Sequence, residues 1–388
     1  MKTLSYTLCA ILAAGFAFTG DAQVKPKSKK ATELKFSGRI QGQWDGIESD
    51  KANEDRNHFY FRRLFLGGHA KAGDNWGGDI VLDFAASPNS ENKSYTDQNG
   101  KSLKTSVDQV FIDGASVWYK YSDAFRVDLG QKKVPFGLEE TTSSSKLKAI
   151  ERSAVNRQFA ERLKFNARHT GLFAKGALSD QFSYDLAVVN SGQNHNSKDG
   201  SLKGGKYGYD NNELAYYGRL TYSNYESDLR HILGVAVGQM EADPDDADNI
   251  TAYNIFGSVG SGPFNLEAEY MMADIKGTDD EHKGYSVQLS YALSNAPAGA
   301  WELLYRYSTV EATGSNELIS AKEIIRRANI SSDFQNVNEL NQNYIGVNYL
   351  FNGHDAKLMM GYEFNEAVDA TIGKRGFHGP RARVQFLF

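Results

Sequence analysis

Apolar and polar residues alternate with a period of two along most of this chain. The closing segment RARVQFLF puts Ala382, Val384, Phe386 and Phe388 on one face and Arg381, Arg383, Gln385 and Leu387 on the other. Reading for the same period yields about sixteen candidate strands. They include FSGRIQGQWDG (36–46), HFYFRRLFLGGHAKAG (58–73), VDQVFIDGASVWYKYS (107–122), ELAYYGRLTYSNY (213–225), PFNLEAEYMMADI (263–275) and HGPRARVQFLF (378–388). In the first, Phe36, Ile40 and Trp44 oppose Arg39, Gln41 and Asp45. Most run roughly ten to thirteen residues, twice the usual globular strand and close to the ~9–11 that a tilted strand needs to cross a bilayer core.

Connection lengths alternate along the chain. Short turns fall near residues 74, 122–124, 179–181, 226–228, 261–263, 294–300 and 352–355. Between them lie longer segments at 47–57, 87–106, 138–168, 193–212, 243–248, 276–282, 313–340 and 368–377. Segregation by parity requires an even strand number with both termini on the short-turn side, the arrangement of a transmembrane antiparallel β-barrel of about 16 strands. A soluble sandwich or propeller would have shorter strands and no such segregation. One barrel face then meets lipid and must be apolar, as in Phe264/Leu266/Ala268/Tyr270/Met272 and Trp301/Leu303/Tyr305/Tyr307. Charges such as Glu267, Glu269, Glu302 and Arg306 sit on the opposite face. Facing lipid at mid-membrane they would cost about 2–4 kcal/mol each, so they belong in a water-filled lumen. About eight strands would be filled by side chains, whereas sixteen leave a channel.

Composition changes this picture little. Tyr 21, Phe 22 and Gly 37 are abundant and Pro 7 is low, while the net charge of −5 suits neither a nucleic-acid binder nor a polybasic membrane adsorber. The N-terminal MKTLSYTLCAILAAGFAFTGDAQ reads as a secretory signal peptide over 1–22. It contains Cys9, the chain's single cysteine, so the mature protein lacks thiol chemistry and disulfides. Residues 23–35 read as a mobile basic N-terminus and 36–388 as a single barrel domain. No stretch after residue 30 is long and apolar enough for a transmembrane helix.

The third long segment, 138–168, exceeds an ordinary hairpin connection. It carries Lys146, Lys148, Arg152, Arg157, Arg162, Lys164 and Arg168 against Glu151 and Glu161 from residue 146 onward. SSSKLKAIERSA opens like a capped short helix. Two readings stand: an extracellular loop that binds lipopolysaccharide phosphates, or a basic loop folded into the barrel that narrows the pore. Alternation favours the second, because it points Lys120, Lys132, Lys175, Arg219, Arg306, Arg381 and Arg383 inward as well. A basic lumen attracts anions over about 8–10 Å at ordinary salt. Arg grips phosphate oxygens in bidentate fashion, and Ser143 to Ser145 offer hydroxyl donors.

FYFRRLFLGG, VDLGQKKVPFGLEE, KAIERSAVNRQF and ARHTGLFAKG, in that order, resemble the phosphate-selective porin O and P family. The resemblance implies a trimeric sixteen-stranded porin whose third loop enters the lumen, passing small anions such as phosphate. Carried over by position, Arg62 and Arg63 match paired family arginines, Lys133 the lysine before the Pro-Phe-Gly turn, and Arg152 the Glu-Arg-Ser segment. Strict alternation puts Lys132 rather than Lys133 in the lumen, and it cannot turn both Arg62 and Arg63 inward without a bulge or a snorkelling side chain. A closing strand that ends in Phe388 also resembles the signal read by the barrel-assembly machinery.

The candidate anion-binding set is therefore Arg62, Arg63, Lys120, Lys132, Lys133, Lys146, Lys148, Arg152 and Arg157, with lipids and lipopolysaccharide as surroundings. No cofactor, metal or catalytic site is indicated. Asp243, Asp245, Asp246 and Asp248 lack the glycine and glutamate of a calcium loop. The eight histidines show no metal-binding spacing. Segment 316–330 reads as a short amphipathic loop helix. A general porin, a structural or adhesin-type barrel and a barrel hydrolase are the competing classes. The hydrolase would need a Ser-His-Asp or paired-acid constellation, which the sequence does not display.

Overall fold

The computed structural model describes residues 33–388 apart from 51–54, 86–92, 97–101, 106–109, 166–167, 192–213, 227, 241–248, 277–278, 294–298, 315–317, 326–329 and 331–333. The signal-peptide segment and the acidic stretch 243–248 lie outside these residues. The first strands in chain order are β1 (Glu33–Ser49), β2 (Arg56–Ala72), β3 (Trp76–Asp83), β4 (Lys93–Thr96), β5 (Ser102–Thr105), β6 (Phe111–Ser122) and β7 (Phe125–Lys133). Then come β8 (Arg168–Ala177), β9 (Phe182–Asn190), β10 (Leu214–Asn224), β11 (Leu229–Met240), β12 (Ile250–Ser261), β13 (Phe264–Ile275) and β14 (Glu281–Ala292). The last are β15 (Ala300–Thr313), β16 (Ile319–Ser320), β17 (Asn336–Val337), β18 (Glu339–Asn352), β19 (Ala356–Asp369) and β20 (Gly373–Leu387). Two hairpins, β4–β5 and β16–β17, stand apart in the long connections, and the other sixteen strands close into one antiparallel barrel.

Closure joins the two ends of the chain. β1 pairs with β20 from Arg39–Leu387 to Ser49–Phe377. Gly38 and Phe388 exchange backbone hydrogen bonds of 2.7 and 3.2 Å. The Phe388 ring is exposed on the outer face and occupies the space a side chain at residue 38 would need. No sheet edge is left to lipid, which is what a spanning sheet requires.

The strands reproduce the expected alternation. Phe59, Leu129, Ile255, Ile345 and Val384 project outward and are exposed, while Gln41, Asp45, Arg306, Gln342 and Arg383 project inward and are buried. The boundaries differ in places. β1 begins at Glu33 rather than 36, and the expected long connection at 368–377 shrinks to residues 370–372 because β19 and β20 extend their pairing to Asp369–Gly373.

The inner surface is not uniformly wet. Inward residues of β9–β15, among them Ala187, Tyr217, Ala252, Met271, Ala273 and Val310, join Phe136, Val155, Phe159 and Phe165 of the third loop in one apolar cluster. Ile319, Ile324, Ile325 and Phe334, from the connection between β15 and β18, extend it. Small inward alanines on these strands make room for the loop, and the packing dries that part of the lumen. In segment 316–330 the helix is a single turn, α3 (Ala321–Ile324), following strand β16, among the described residues.

Gly130 in β7 has φ +146°, and a Cβ there would lie 2.1 Å from the Ala115 carbonyl oxygen of β6. Gly130→Ala should therefore cost about 1–3 kcal/mol of backbone strain plus the displacement of β6. The measurement is the temperature at which the compact, fast-migrating form in detergent gels converts to the unfolded form. An unchanged temperature would contradict the constraint.

Candidate functional site

The third long loop, between β7 and β8, lies against the inward faces of β1, β2, β13, β15 and β18–β20. Wall side chains capture its backbone carbonyls in succession. Gln385 donates to Ser145 O (3.1 Å), Lys357 to Leu147 O (2.7 Å), Asn348 to Lys148 O (2.9 Å) and Arg306 to Glu151 O (2.8 Å). Arg39 donates to the hydroxyls of Ser144 (2.5 Å) and Ser143 (3.2 Å). These wall contacts hold the stretch along the barrel wall, and SSSKLKAIERSA does not begin a helix where its serines suggested. The loop's helical turns are instead α1 (Leu138–Thr141) and α2 (Ala154–Arg157), the latter capped by Ser153, whose Oγ accepts from Asn156 N at 3.3 Å. A π-helical turn, Gln158–Arg162, follows.

Glu151 is the centre of the docking. Its carboxylate accepts from Arg62 Nε (2.9 Å), Arg383 Nη2 (2.8 Å) and Arg157 Nη2, with Gln43 at 3.3 Å. Burial alone would push this carboxyl up; the guanidinium groups of Arg62, Arg157 and Arg383 outweigh it and hold Glu151 well below the usual carboxylate range. The contribution is present above the ordinary glutamate value and is lost only as pH falls through the depressed one, so docking persists in mild acid. Flanking pairs complete the seam: Arg152–Glu140 (2.8 Å), Lys133–Glu140 (2.7 Å) and Arg306–Glu139 (3.0 Å). Glu269 accepts the Leu138 amide at 2.5 Å, and Lys148 lies between Glu267 and Glu302, 3.6 Å from each. Lumen acids that the sequence sets against the basic field are thus engaged in holding the loop.

The candidate cations consequently separate into two groups. Arg62, Arg152, Arg157 and Lys148 are in ion pairs at the loop–wall seam. Arg63 is buried and donates to Gln41 Oε1 at 3.0 Å. The conflict over Arg62 and Arg63 resolves through register. Gln41 pairs with Arg63 but Gly42 pairs with Phe61, so Arg62 is the extra residue of a bulge and both arginines reach inward. Lys132 and Lys133 also line one cavity together. Lys133 ends β7, and at Val134-Pro135 the chain leaves the sheet, so alternation no longer constrains it. Lys132 pairs with Asp128 at 2.8 Å. Lys120, half-exposed at a short turn, pairs with Asp123 at 2.5 Å. Lys146 is exposed on the loop, with no ion pair among the described residues.

Cross-strand register assembles what linear sequence could not. Lys120 faces Arg126, Arg126 faces Lys175, Lys175 faces Asp185 and Asp185 faces Arg219, giving one lateral row across the inner faces of β6–β10. Arg219 donates to Thr141 of the loop at 2.8 Å. A cavity of about 200 Å³ opens here between Lys132, Lys133, Thr141, Lys175, Asp185 and Arg219. Arg126 and Asp185 were missed as members; only knowledge of which residues lie opposite one another reveals them.

Register also brings together Ser37, His69 and Asp79, which are far apart in sequence. Ser37 Oγ lies 3.0 Å from His69 Nε2, His69 Nδ1 2.7 Å from Asp79 Oδ1, and Trp118 Nε1 donates to Asp79 Oδ2 at 3.0 Å. The sequence showed no such constellation. We read it as mutual satisfaction of polar lumen groups on three adjacent strands.

A closed sixteen-stranded barrel with a polar inner wall and a loop docked on it defines an outer-membrane channel. The chain belongs to the phosphate-selective porin O and P family, whose model matches residues 34–388. Among curated relatives, Porin O of Pseudomonas aeruginosa is 23% identical over 382 residues, covering 81% of this chain and 83% of that protein. Among solved structures, OprB of Pseudomonas putida superposes with TM-score 0.60 at 10% identity, covering 91% of this chain and 94% of the other. The anion-selective porin from Comamonas acidovorans gives TM-score 0.58 at 14% identity, covering 91% and 99%. The protein is an outer-membrane porin, a channel rather than an enzyme.

Replacing Glu151 by Gln leaves Arg62, Arg157 and Arg383 buried without their shared carboxylate, a change that costs about 3–5 kcal/mol when a buried pair is broken. The expected outcome is a loosened loop and a larger single-channel conductance in planar bilayers, with a lowered unfolding temperature. Wild-type conductance and stability in this variant would show that Glu151 does not anchor the loop.

Proposed function

We propose that this porin is a water-filled channel for passive diffusion of small anions, phosphate foremost, through a constriction lined by Lys and Arg. The observation that carries the reading is the row Lys120, Arg126, Lys175, Arg219 on adjacent strands beside the docked loop. Asp123 pairs with Lys120 and Asp128 with Arg126, so Lys175 and Arg219 set against Asp185 carry the row's excess positive charge, and with the pore narrowed by the loop a permeating ion passes within screening distance, ~8–10 Å at ordinary salt. Lys132 and Lys146 supplement the row, so that these residues and Lys120 meet the ion, while Lys133 borders the same cavity from its pairing with Glu140. Arg62, Arg63, Lys148, Arg152 and Arg157 act indirectly, by fixing the loop that sets the width. Multiple weak contacts suit transit better than one tight site.

The assembly is a homotrimer in this reading. Gly68, Ala70, Gly78 and Ala115 form an apolar depression on the outer face of β2, β3 and β6, edged by Leu34, Phe36, Ile80, Val117 and Leu129. Small residues there let another barrel approach closely. Lipids and lipopolysaccharide surround the rest, and Phe388, exposed beside Gly38 at the closing seam, serves as the terminal residue read by the barrel-assembly machinery.

In planar bilayers a salt gradient should give a reversal potential of anion preference, and added phosphate should block part of the chloride current. Charge reversal at Lys175 or Arg219 should lower the anion-to-cation permeability ratio by about fivefold per unit charge, for ~1 kcal/mol per charge in water-like surroundings. Cation preference in the wild type would overturn the reading while leaving a porin.

A further inference from the structure

We propose that the constriction favours small anions that also carry a positive charge, such as amine-bearing phosphate monoesters, over simple anions of equal size. The inference deepens the anion-channel reading and rests on it. It comes from the one acid in the basic row. Asp185 is the direct cross-strand neighbour of Lys175 on one side and of Arg219 on the other. Opposed side chains in such pairs have Cβ atoms about 4.5–5.5 Å apart, so two ion pairs lie within easy reach.

Neither forms. Lys175 is exposed and makes no ion pair among the described residues. Arg219 turns its guanidinium to Thr141 Oγ1 (2.8 Å) and Thr221 Oγ1 (3.1 Å) and stacks on Phe256 at 4.5 Å. Asp185, half-buried, has no hydrogen bond or ion pair among the described residues. Most other inward acids have partners: Asp45 is held by Arg381, Asp113 by Arg168, Asp128 by Arg126 and Lys132 and Glu151 by Arg62, while Glu269 and Asp83 accept from amide donors.

A carboxylate set between two cations without pairing to either weakens a wall that only has to attract anions. For a dipolar solute the same arrangement is complementary. Its anionic end meets Lys175 while its ammonium meets Asp185, both bordering the same cavity of about 200 Å³. That volume accommodates a molecule of several heavy atoms, and Phe173 and Pro135 on its border offer apolar contact to a carbon linker. Because each contact is a single exposed charge pair, the solute is held weakly enough to leave.

The test compares O-phosphoethanolamine with ethyl phosphate as blockers of chloride current through the full-length protein in planar bilayers. The two differ mainly in the ammonium group. Wild type should be half-blocked at a lower concentration of phosphoethanolamine, although ethyl phosphate carries more net negative charge. Asp185→Asn, which keeps the side-chain shape, should weaken phosphoethanolamine block about fivefold and strengthen block by ethyl phosphate, inverting the order. Unchanged heat-dependent gel migration of the variant establishes that it is folded. If both blockers shift in the same direction, or ethyl phosphate is the better blocker of wild type, the proposal fails while anion preference stands. A cation-preferring reversal potential would remove the anion reading, and this one with it.

Discussion

Everything in this protein follows from the need to satisfy each backbone amide and carbonyl without help from lipid. A sheet meets that need only by closing on itself, and here closure is made by β1 against β20, down to the last residue. Once closed, the sheet has two sides that never exchange solvents. Side chains at alternate positions must suit hydrocarbon or the interior, and a lumen exists as a geometric by-product. The chemistry of the channel is whatever the inward set supplies.

That inward set divides into a part that builds and a part that is left over. The wall first has to hold a thirty-residue loop whose own peptide groups need partners. It does so with side-chain donors aimed at successive loop carbonyls and with ion pairs gathered around Glu151. Along one part of the inner face of β9–β15 the wall is small and apolar, and there the loop packs dry. Most of the arginines that look like an anion path in the sequence are consumed in this docking. Lys120, Lys132 and Lys175, outside this docking, lie on β6–β8.

Much of the fold was legible before any coordinates. Period-two alternation and the parity of connection lengths are imposed by the two solvents and by the chain's need to cross back each time, so they are written locally. The inward orientation of Lys132, Arg219 and Arg383 follows from the same rule. The partners do not. Glu151 and Arg383 are 232 residues apart, and Gln43 and Arg383 are 340 apart. Their encounter depends on the shear of strands around the whole barrel, which no local pattern encodes. The bulge that turns both Arg62 and Arg63 inward is a one-residue slip between β1 and β2, equally invisible from either strand alone. In the third loop the serines have the right chemistry for a cap, but no helix starts there, and distant wall side chains bond the neighbouring hydroxyls and carbonyls.

The sequence by itself determined that the chain makes a membrane barrel with charged and polar residues on its inner face, because hydrophobicity at alternate positions is a property of each residue and its immediate neighbours. Tertiary structure alone decided which of the basic residues are ion-paired, and that Asp185 lies between Lys175 and Arg219 without an ion pair to either among the described residues. Charge compensation is a matter of distance in space, and in a closed sheet the nearest neighbour of a residue is set by lateral register, tens of positions along the chain and hundreds at the β1–β20 seam.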